Sequence, residues 1–281
     1  MEYNKKALLV ISFGTSYGET RRKTLDAIEQ DLREAFADYE FRRAYTSPTI
    51  IRILKNRDRM EVDNVEQALA RLARDGYKTV VAQTTHVIHG FEYDKMMEMI
   101  ARFSNRFETL VCGEPLLTGE EDYRQAARIM GKELAGYRGP GTDIMLMGHG
   151  TEHVANASYA RLQQAFLQEG FDDFLVGTAE VSPTLDNMMK LARQHKSVKT
   201  VLTPFLVVAG NHAVRDMAGD GETSWKSRFE QEGYQVECVM KGLGEYPGIR
   251  KIYVEHALEA ARKMEQAGRD SQMIVKEHED E

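Results

Sequence analysis

The sequence predicts an α/β protein of two similar units, each a parallel sheet flanked by helices, facing one another across a cleft. Two observations carry that expectation. Short apolar runs alternate with amphipathic stretches along the whole chain, the pattern of parallel strands joined by crossover helices. The two halves also repeat one another at nearly constant spacing, as duplication of a single α/β unit would leave them.

In chain order, Ala7–Phe13 reads as the first strand and Glu19–Ala37 as its helix, followed by Thr79–Ala82 and Tyr93–Phe103. In the second half Ile144–Met147 precedes Asn156–Gln168, and Val201–Val208 precedes Trp225–Glu232. Helices should cover both faces of such sheets. The stretch GYRGPG at Gly136–Gly141 concentrates glycine and proline between the halves, placing domains at 1–138 and 139–281. A helix over Val254–Met264 is expected to close the chain, with a charged, frayed tail from Glu265 to Glu281.

Composition narrows the function. A 281-residue chain that is 42% hydrophobic can bury a sizeable core. The net charge is −7, with lysine and arginine spread evenly, so no basic stripe exists for a phosphate backbone and nucleic acid is not an expected partner. Cys112 and Cys238 stand far apart without a CxxC or knuckle pattern, which indicates neither a disulfide framework nor a zinc ribbon. The charged start leads into a buried strand rather than a secretory core. No run approaches the ~18 apolar residues of a membrane span. A cytoplasmic protein with no membrane partner is the expectation; the sequence sets no oligomeric state, and a homo-oligomer is compatible with it.

The repeat points to a site. Ser12-Phe-Gly-Thr15 matches Gly148-His-Gly-Thr151, Ala44-Tyr-Thr-Ser-Pro-Thr49 matches Ala179-Glu-Val-Ser-Pro-Thr184, and Lys78…Met96 matches Lys199…Met217, at offsets of 136, 135 and 121 residues. On that self-alignment His149 falls opposite Phe13, Glu180 opposite Tyr45 and His212 opposite Phe91. All three follow predicted strands, at the edge where open parallel sheets gather functional groups. A lone histidine after a strand is ordinarily a hydrogen-bonded loop residue, and the glycines flanking His149 suit a plain turn equally well. The coincidence of three positions is what singles them out. Two histidines and a carboxylate with open positions suit a borderline divalent ion such as cobalt, iron, nickel or zinc.

The segments ISFGTS, YTSPTI, HVIHGFEY, MGHGTEH, GTAEVSPT, TPFLVVAGNHAVRDMAG and GDGETSWKSRFEQEGY together resemble the anaerobic sirohydrochlorin cobaltochelatase family, from about Lys6 to Leu258. The resemblance implies two Rossmann-like, chelatase-type domains. It implies a metal-chelating lyase of cobalamin biosynthesis that inserts Co²⁺ into the tetrapyrrole sirohydrochlorin or its precorrin form, with no nucleotide. The family's metal ligands fall on His149, Glu180 and His212. Exported members of the family bind haem between subunits through a histidine of the first half, for which His86 and His89 are the candidates here; without a signal peptide, no haem is expected.

The chemistry fits that ligand set. Insertion strips water from the ion, puckers the macrocycle and releases two pyrrole N–H protons. Imidazole, with an ordinary pKa near ~6.5, can hold the ion and accept a proton, so His149 is expected to do both. An acidic protein also needs local donors for a substrate rich in carboxylates. Candidates are the Gly14-Thr15-Ser16 turn, where the hydroxyls are as readily helix caps, and Arg52 and Arg215. In HVIHGFEY, His86 and Glu92 are candidate substrate contacts, Glu92 as a proton acceptor or as a solvated loop charge. His153 is expected to support His149, while His195, His256 and His278 should be solvated. The fourteen methionines read as packing residues.

The nearest alternative is iron or nickel insertion into a related tetrapyrrole, since affinity alone does not identify the metal. A non-catalytic tetrapyrrole or metal carrier would use the same cleft but needs no base beside an open site. A periplasmic-type binding protein would not need three ligand-type residues.

Overall fold

The computed structural model describes residues 5–279. The first half runs β1 (Lys6–Ser12), α1 (Gly18–Lys23), α2 (Leu25–Ala35), β2 (Glu40–Tyr45), α3 (Pro48–Asp58), β3 (Asp63–Asn64), α4 (Val65–Arg74), β4 (Thr79–Thr84), α5 (Phe91–Phe103), β5 (Thr109–Gly113) and α6 (Glu120–Glu133). The second runs β6 (Thr142–Gly148), α7 (Ala157–Gln168), β7 (Phe174–Thr178), α8 (Leu185–His195), β8 (Lys199–Pro204), a π-helical turn at His212–Met217, α9 (Trp225–Gln231), β9 (Gln235–Cys238) and α10 (Pro247–Glu279). Every strand pairing is parallel. The sheet orders are β3-β2-β1-β4-β5 and β7-β6-β8-β9, so β1 and β6 each stand where the order reverses, the place where α/β sheets bind ligands.

Strand periodicity sorts the core. On β1, Leu8 and Val10 face one side, and Ala7, Leu9 and Ile11 the other, against Leu69 and Leu72 of α4 and Met96 of α5. On β6, Ile144 and Leu146 face the same shared core as Leu8, while Met145 and Met147 pack with Met188, Met189, Trp225 and Phe229. Several methionines are therefore packing residues, as expected. The shared core lies between the sheets and takes in α2, α6, α7 and α10.

The final helix of each half is exchanged. Helix α10 lies across β4, β5 and α2 of the first sheet, and α6 packs on α7 of the second unit. Ile249, Ile252 and Tyr253 of α10 are at most 1% exposed.

Two helices differ from the sequence reading. The expected helix at 19–37 is broken at Thr24, with φ −118° and ψ −81°, where its hydroxyl donates to Thr20 O at 2.7 Å; such back-bonding competes with helix continuation. Helix α10 begins earlier than expected, at Pro247, and continues to Glu279 instead of fraying near residue 265. Its last turns are rich in Glu, Lys, Gln and Met, all good helix formers. Residues 280 and 281 of the expected tail lie outside the described residues. Among the described residues no helix is long and apolar enough to cross a membrane.

Candidate metal centre

The loops leaving β1 and β4 in one half and β6, β7 and β8 in the other line a cleft of about 1080 Å³ between the sheets. Phe13 and Phe91, each about half exposed, form part of its first-half wall. His149, Glu180 and His212 lie on the opposite wall, each offering a ligand atom within 4.8 Å of the others.

Each side chain is positioned by its element. His149 directly follows β6, and its Nδ1 lies 2.9 Å from Gly150 O. A carbonyl only accepts, so Nδ1 carries the hydrogen and Nε2 keeps the lone pair. Gly150 has φ +86°, and a Cβ there would meet Thr178 Oγ1 at 2.7 Å; conformation and space both demand glycine. Glu180 sits on the loop after β7, where its N–H donates to His149 O at 3.1 Å. Its Oε2 is 3.6 Å from His149 Nδ1. His212 opens the π-helical turn, with its ring 4.6 Å from that of His149 and edge-on to it. Its Nδ1 donates to Asp216 Oδ2 at 2.6 Å, again leaving Nε2 with the lone pair. The two histidines thus share one tautomer.

The backbone hydrogen bonds correct the self-alignment. Thr46 and Ser47 donate to Ser12 O and Phe13 O as Ala179 and Glu180 donate to Gly148 O and His149 O. The counterpart of Glu180 is therefore Ser47, and that of Thr178 is Tyr45, which is buried with its pKa pushed up to about 12 by that burial. Only Thr46 separates β2 from Ser47, the N-cap of α3, whereas Ala179–Pro183 separates β7 from Thr184, the cap of α8. The repeated Ser-Pro-Thr straddles loops of unequal length. Likewise Gly90 bonds Ile88 O and accepts from Asp94, as Gly210 bonds Val208 O and accepts from Val214. That register sets His212 opposite Glu92, not Phe91. Only the pair His149 and Phe13 keeps the expected match.

The remaining candidates divide. Gly14, Thr15 and Ser16 line the cleft, but neither hydroxyl caps α1: Thr15 Oγ1 accepts from Tyr17 N at 3.2 Å. Glu92 lines the cleft too, 3.3 Å from Lys95. His86 is on the cleft floor, with Nδ1 2.5 Å from Thr84 Oγ1 and Nε2 buried with no hydrogen-bond partner. Burial holds its pKa down at about 4, so it is neutral at physiological pH. Arg52 and Arg215 are exposed and do not line the cleft.

His153 does not touch His149 as expected. Its Nδ1 accepts from Ala155 N, leaving Nε2–H for Asp94 of the first half at 3.2 Å, and its ring packs edge-on to Phe91. Of two other histidines expected to be solvated, His195 is exposed, though it bonds the buried Asp143 at 2.9 Å, whereas His256 is largely buried and bonds Asp122 at 3.1 Å and Glu114 O. Burial works most strongly against a charge on His256, but Asp122 and Glu114 together outweigh it and raise the pKa. The side chain of His278 lies outside the described residues. Asp94 and Asp216 escaped the sequence reading; a signal for Asp216 was its i, i+4 spacing from His212 on one helical face.

Known proteins match this chain closely. The family model described as cobalt chelatase (CbiK) matches residues 6–262. The sirohydrochlorin cobaltochelatase of Salmonella typhimurium is 39% identical over 256 residues, 91% of this chain and 96% of that protein. The sirohydrochlorin cobaltochelatase CbiKC of Nitratidesulfovibrio vulgaris is 33% identical over 264 residues, covering 93% and 92% of the two chains. In fold, the chain is similar to the structure of SirB from Bacillus subtilis with Fe³⁺, at TM-score 0.64 and 11% identity over 93% of this chain and 98% of that one.

Proposed function

The chain belongs to the cobalt chelatase (CbiK) family, and from that premise we propose that it inserts Co²⁺ into sirohydrochlorin, or its precorrin form, without ATP, in the anaerobic route to cobalamin. The observation that carries this reading is the cluster of His149, Glu180 and His212, with ligand atoms within 4.8 Å of one another on the wall of the cleft.

In this reading His149 and His212 present Nε2 lone pairs and Glu180 an oxygen to the incoming ion, while open positions accept the macrocycle nitrogens. His149 acts twice in sequence. Its Nε2 holds cobalt until the ring nitrogens take the ion, and is then free to accept one of the two pyrrole protons, the other leaving to solvent. Phe13 and Phe91 offer apolar surface to the macrocycle, and Gly14, Thr15, Ser16, His86 and Glu92 contact its polar edge. Closure of the two walls would supply ring distortion from binding energy elsewhere on the substrate. No haem or nucleotide enters the scheme, and the protein works in the cytoplasm, alone or as a homo-oligomer.

Incubating the purified protein with sirohydrochlorin and Co²⁺, Fe²⁺ or Ni²⁺ separately, and following the macrocycle's absorption spectrum, tests the reading. Cobalt insertion faster than the uncatalysed control supports it. Faster insertion of iron or nickel reassigns the metal, and spectral change from binding without turnover makes the protein a carrier.

A further inference from the structure

The turn that carries His212 differs from its first-half counterpart by one residue. Up to Gly90 and Gly210 the two backbones bond alike, but in the second half Ala218 N–H then reaches back five residues to Ala213 O at 3.0 Å. Such a π-turn is a local expansion and recurs at functional sites. Its effect is a shift in which side chain enters the core. Four residues after Glu92 comes Met96, fully buried; four after His212 comes Asp216, and the buried methionine is Met217. The extra residue frees the position that Met96 occupies in the first half, and an aspartate stands there with its carboxylate 2.6 Å from His212 Nδ1.

We propose that Asp216 is a positioning residue, fixing His212 in the tautomer and orientation that present Nε2 to cobalt. This rests on the reading of His212 as a ligand. A carboxylate accepting the outer N–H of a ligating histidine is worth roughly 10–100-fold in metal affinity. Asn at 216 keeps an acceptor oxygen at the same reach; Ala does not.

The test measures Co²⁺ binding to the protein alone, the visible absorption of the bound ion, and KM for cobalt against kcat, in Asp216→Ala, Asp216→Asn and His212→Ala. Asp216→Ala should bind cobalt roughly 10–100-fold more weakly, with KM raised, kcat largely kept and an altered spectrum. Asp216→Asn should recover most of the affinity. Unchanged cobalt binding in Asp216→Ala beside a clear loss in His212→Ala overturns the positioning role alone. So do equal losses in the Ala and Asn variants, which would report the lost charge or a disturbed turn. Normal cobalt binding in His212→Ala overturns the metal centre and this inference with it.

Discussion

After β1 the chain runs Phe13-Gly14, and after β6 it runs His149-Gly150; the two glycines have φ +95° and +86°. The next corresponding loops offer Ser47 and Glu180, the third Glu92 and His212. One backbone plan thus ends in an aromatic, a buried helix cap and a carboxylate in one half, and in three ligand-type groups in the other. The difference teaches where a duplicated fold acquires chemistry: four extra loop residues after β7 and one extra residue in the π-turn move side chains off the core and over the cleft. Beneath them four strands keep one order in both halves, β2-β1-β4-β5 and β7-β6-β8-β9, and the first sheet adds only the two-residue β3 at its edge.

The largest expected effect tests how far the halves are separate at all. Cutting at the proposed boundary between residues 138 and 139 would strip α10 from the first sheet and α6 from the second unit. Uncovering Ile249, Ile252 and Tyr253 alone would forfeit roughly 5–9 kcal/mol at ~1.5–3 kcal/mol per large apolar side chain, comparable with a whole domain's stability of ~5–15 kcal/mol. Neither fragment should fold alone, as judged by circular dichroism and amide dispersion. A folded, cooperative 1–138 would show the exchange of helices to be dispensable.

Next in size is the matched pair at the strand tips. His149→Ala should lower kcat by roughly 10²–10⁴-fold, the range for a general base, and excess cobalt should not restore it. Phe13→Ala should act mainly on KM for the macrocycle. Full recovery of His149→Ala with cobalt alone would leave His149 as a ligand only.

Smaller again, and different in kind, are the other two pairs. Glu180→Ala should raise KM for Co²⁺ at least about tenfold, the low end of what losing even an outer partner costs, with partial rescue by excess metal. Its counterpart Ser47 accepts from Ile50 N at 3.4 Å as the cap of α3. Ser47→Ala should therefore cost about 1 kcal/mol of stability and leave the cobalt KM alone. If Ser47→Ala weakened cobalt binding as Glu180→Ala does, the two halves would not be chemically distinct.

Much of this was legible in the sequence, for physical reasons. Strands β1, β4, β6 and β8 are central or nearly so, buried on both faces, and so read as unbroken apolar runs. Strand β2, with Arg42 and Arg43, and the short β9 at an edge carry no such run. The three candidate ligands were found from strand ends and repetition, yet two of their three partners were misassigned. Sequence similarity followed Ser-Pro-Thr and the buried methionines, while the register follows ladder hydrogen bonds that do not depend on side chains. The exchange of α6 and α10, and the acids that hold His153, His195 and His256, are long-range contacts on which local pattern is silent.

The smallest expected effect, the change with pH in one variant's stability deficit, lies at the seam between the halves, where His256 of α10 meets Asp122 of α6. Both side chains are largely buried, at 10% and 16% exposure. For His256, burial is the largest single influence and opposes the charge, but the hydrogen bonds and charges of Asp122 and Glu114 together outweigh it, so the folded pKa lies above the ordinary ~6.5. A raised pKa contributes stability that is fully present below the unfolded value and lost as pH climbs through the folded one. For Asp122, burial likewise opposes the charge, but His256 and the Gly119 and Thr118 N–H groups lower the pKa; its contribution is present above the ordinary ~3.9 and lost as pH falls below it. The pair should therefore help most between about pH 4 and 6.5. Replacing His256 by Gln should cost about 1.5 kcal/mol at pH 5.5, the low end for a hydrogen bond to a charged group, since Gln keeps a neutral donor. At pH 9, as the folded imidazole too gives up its proton, the cost should be smaller. Thermal unfolding of the two proteins at both pH values measures it, at about 2 °C per kcal/mol for a chain of this size. A deficit of equal size at both values would mean that His256 holds α10 to the first half by packing and neutral hydrogen bonds, and that the seam between the two units carries no charge-dependent stability.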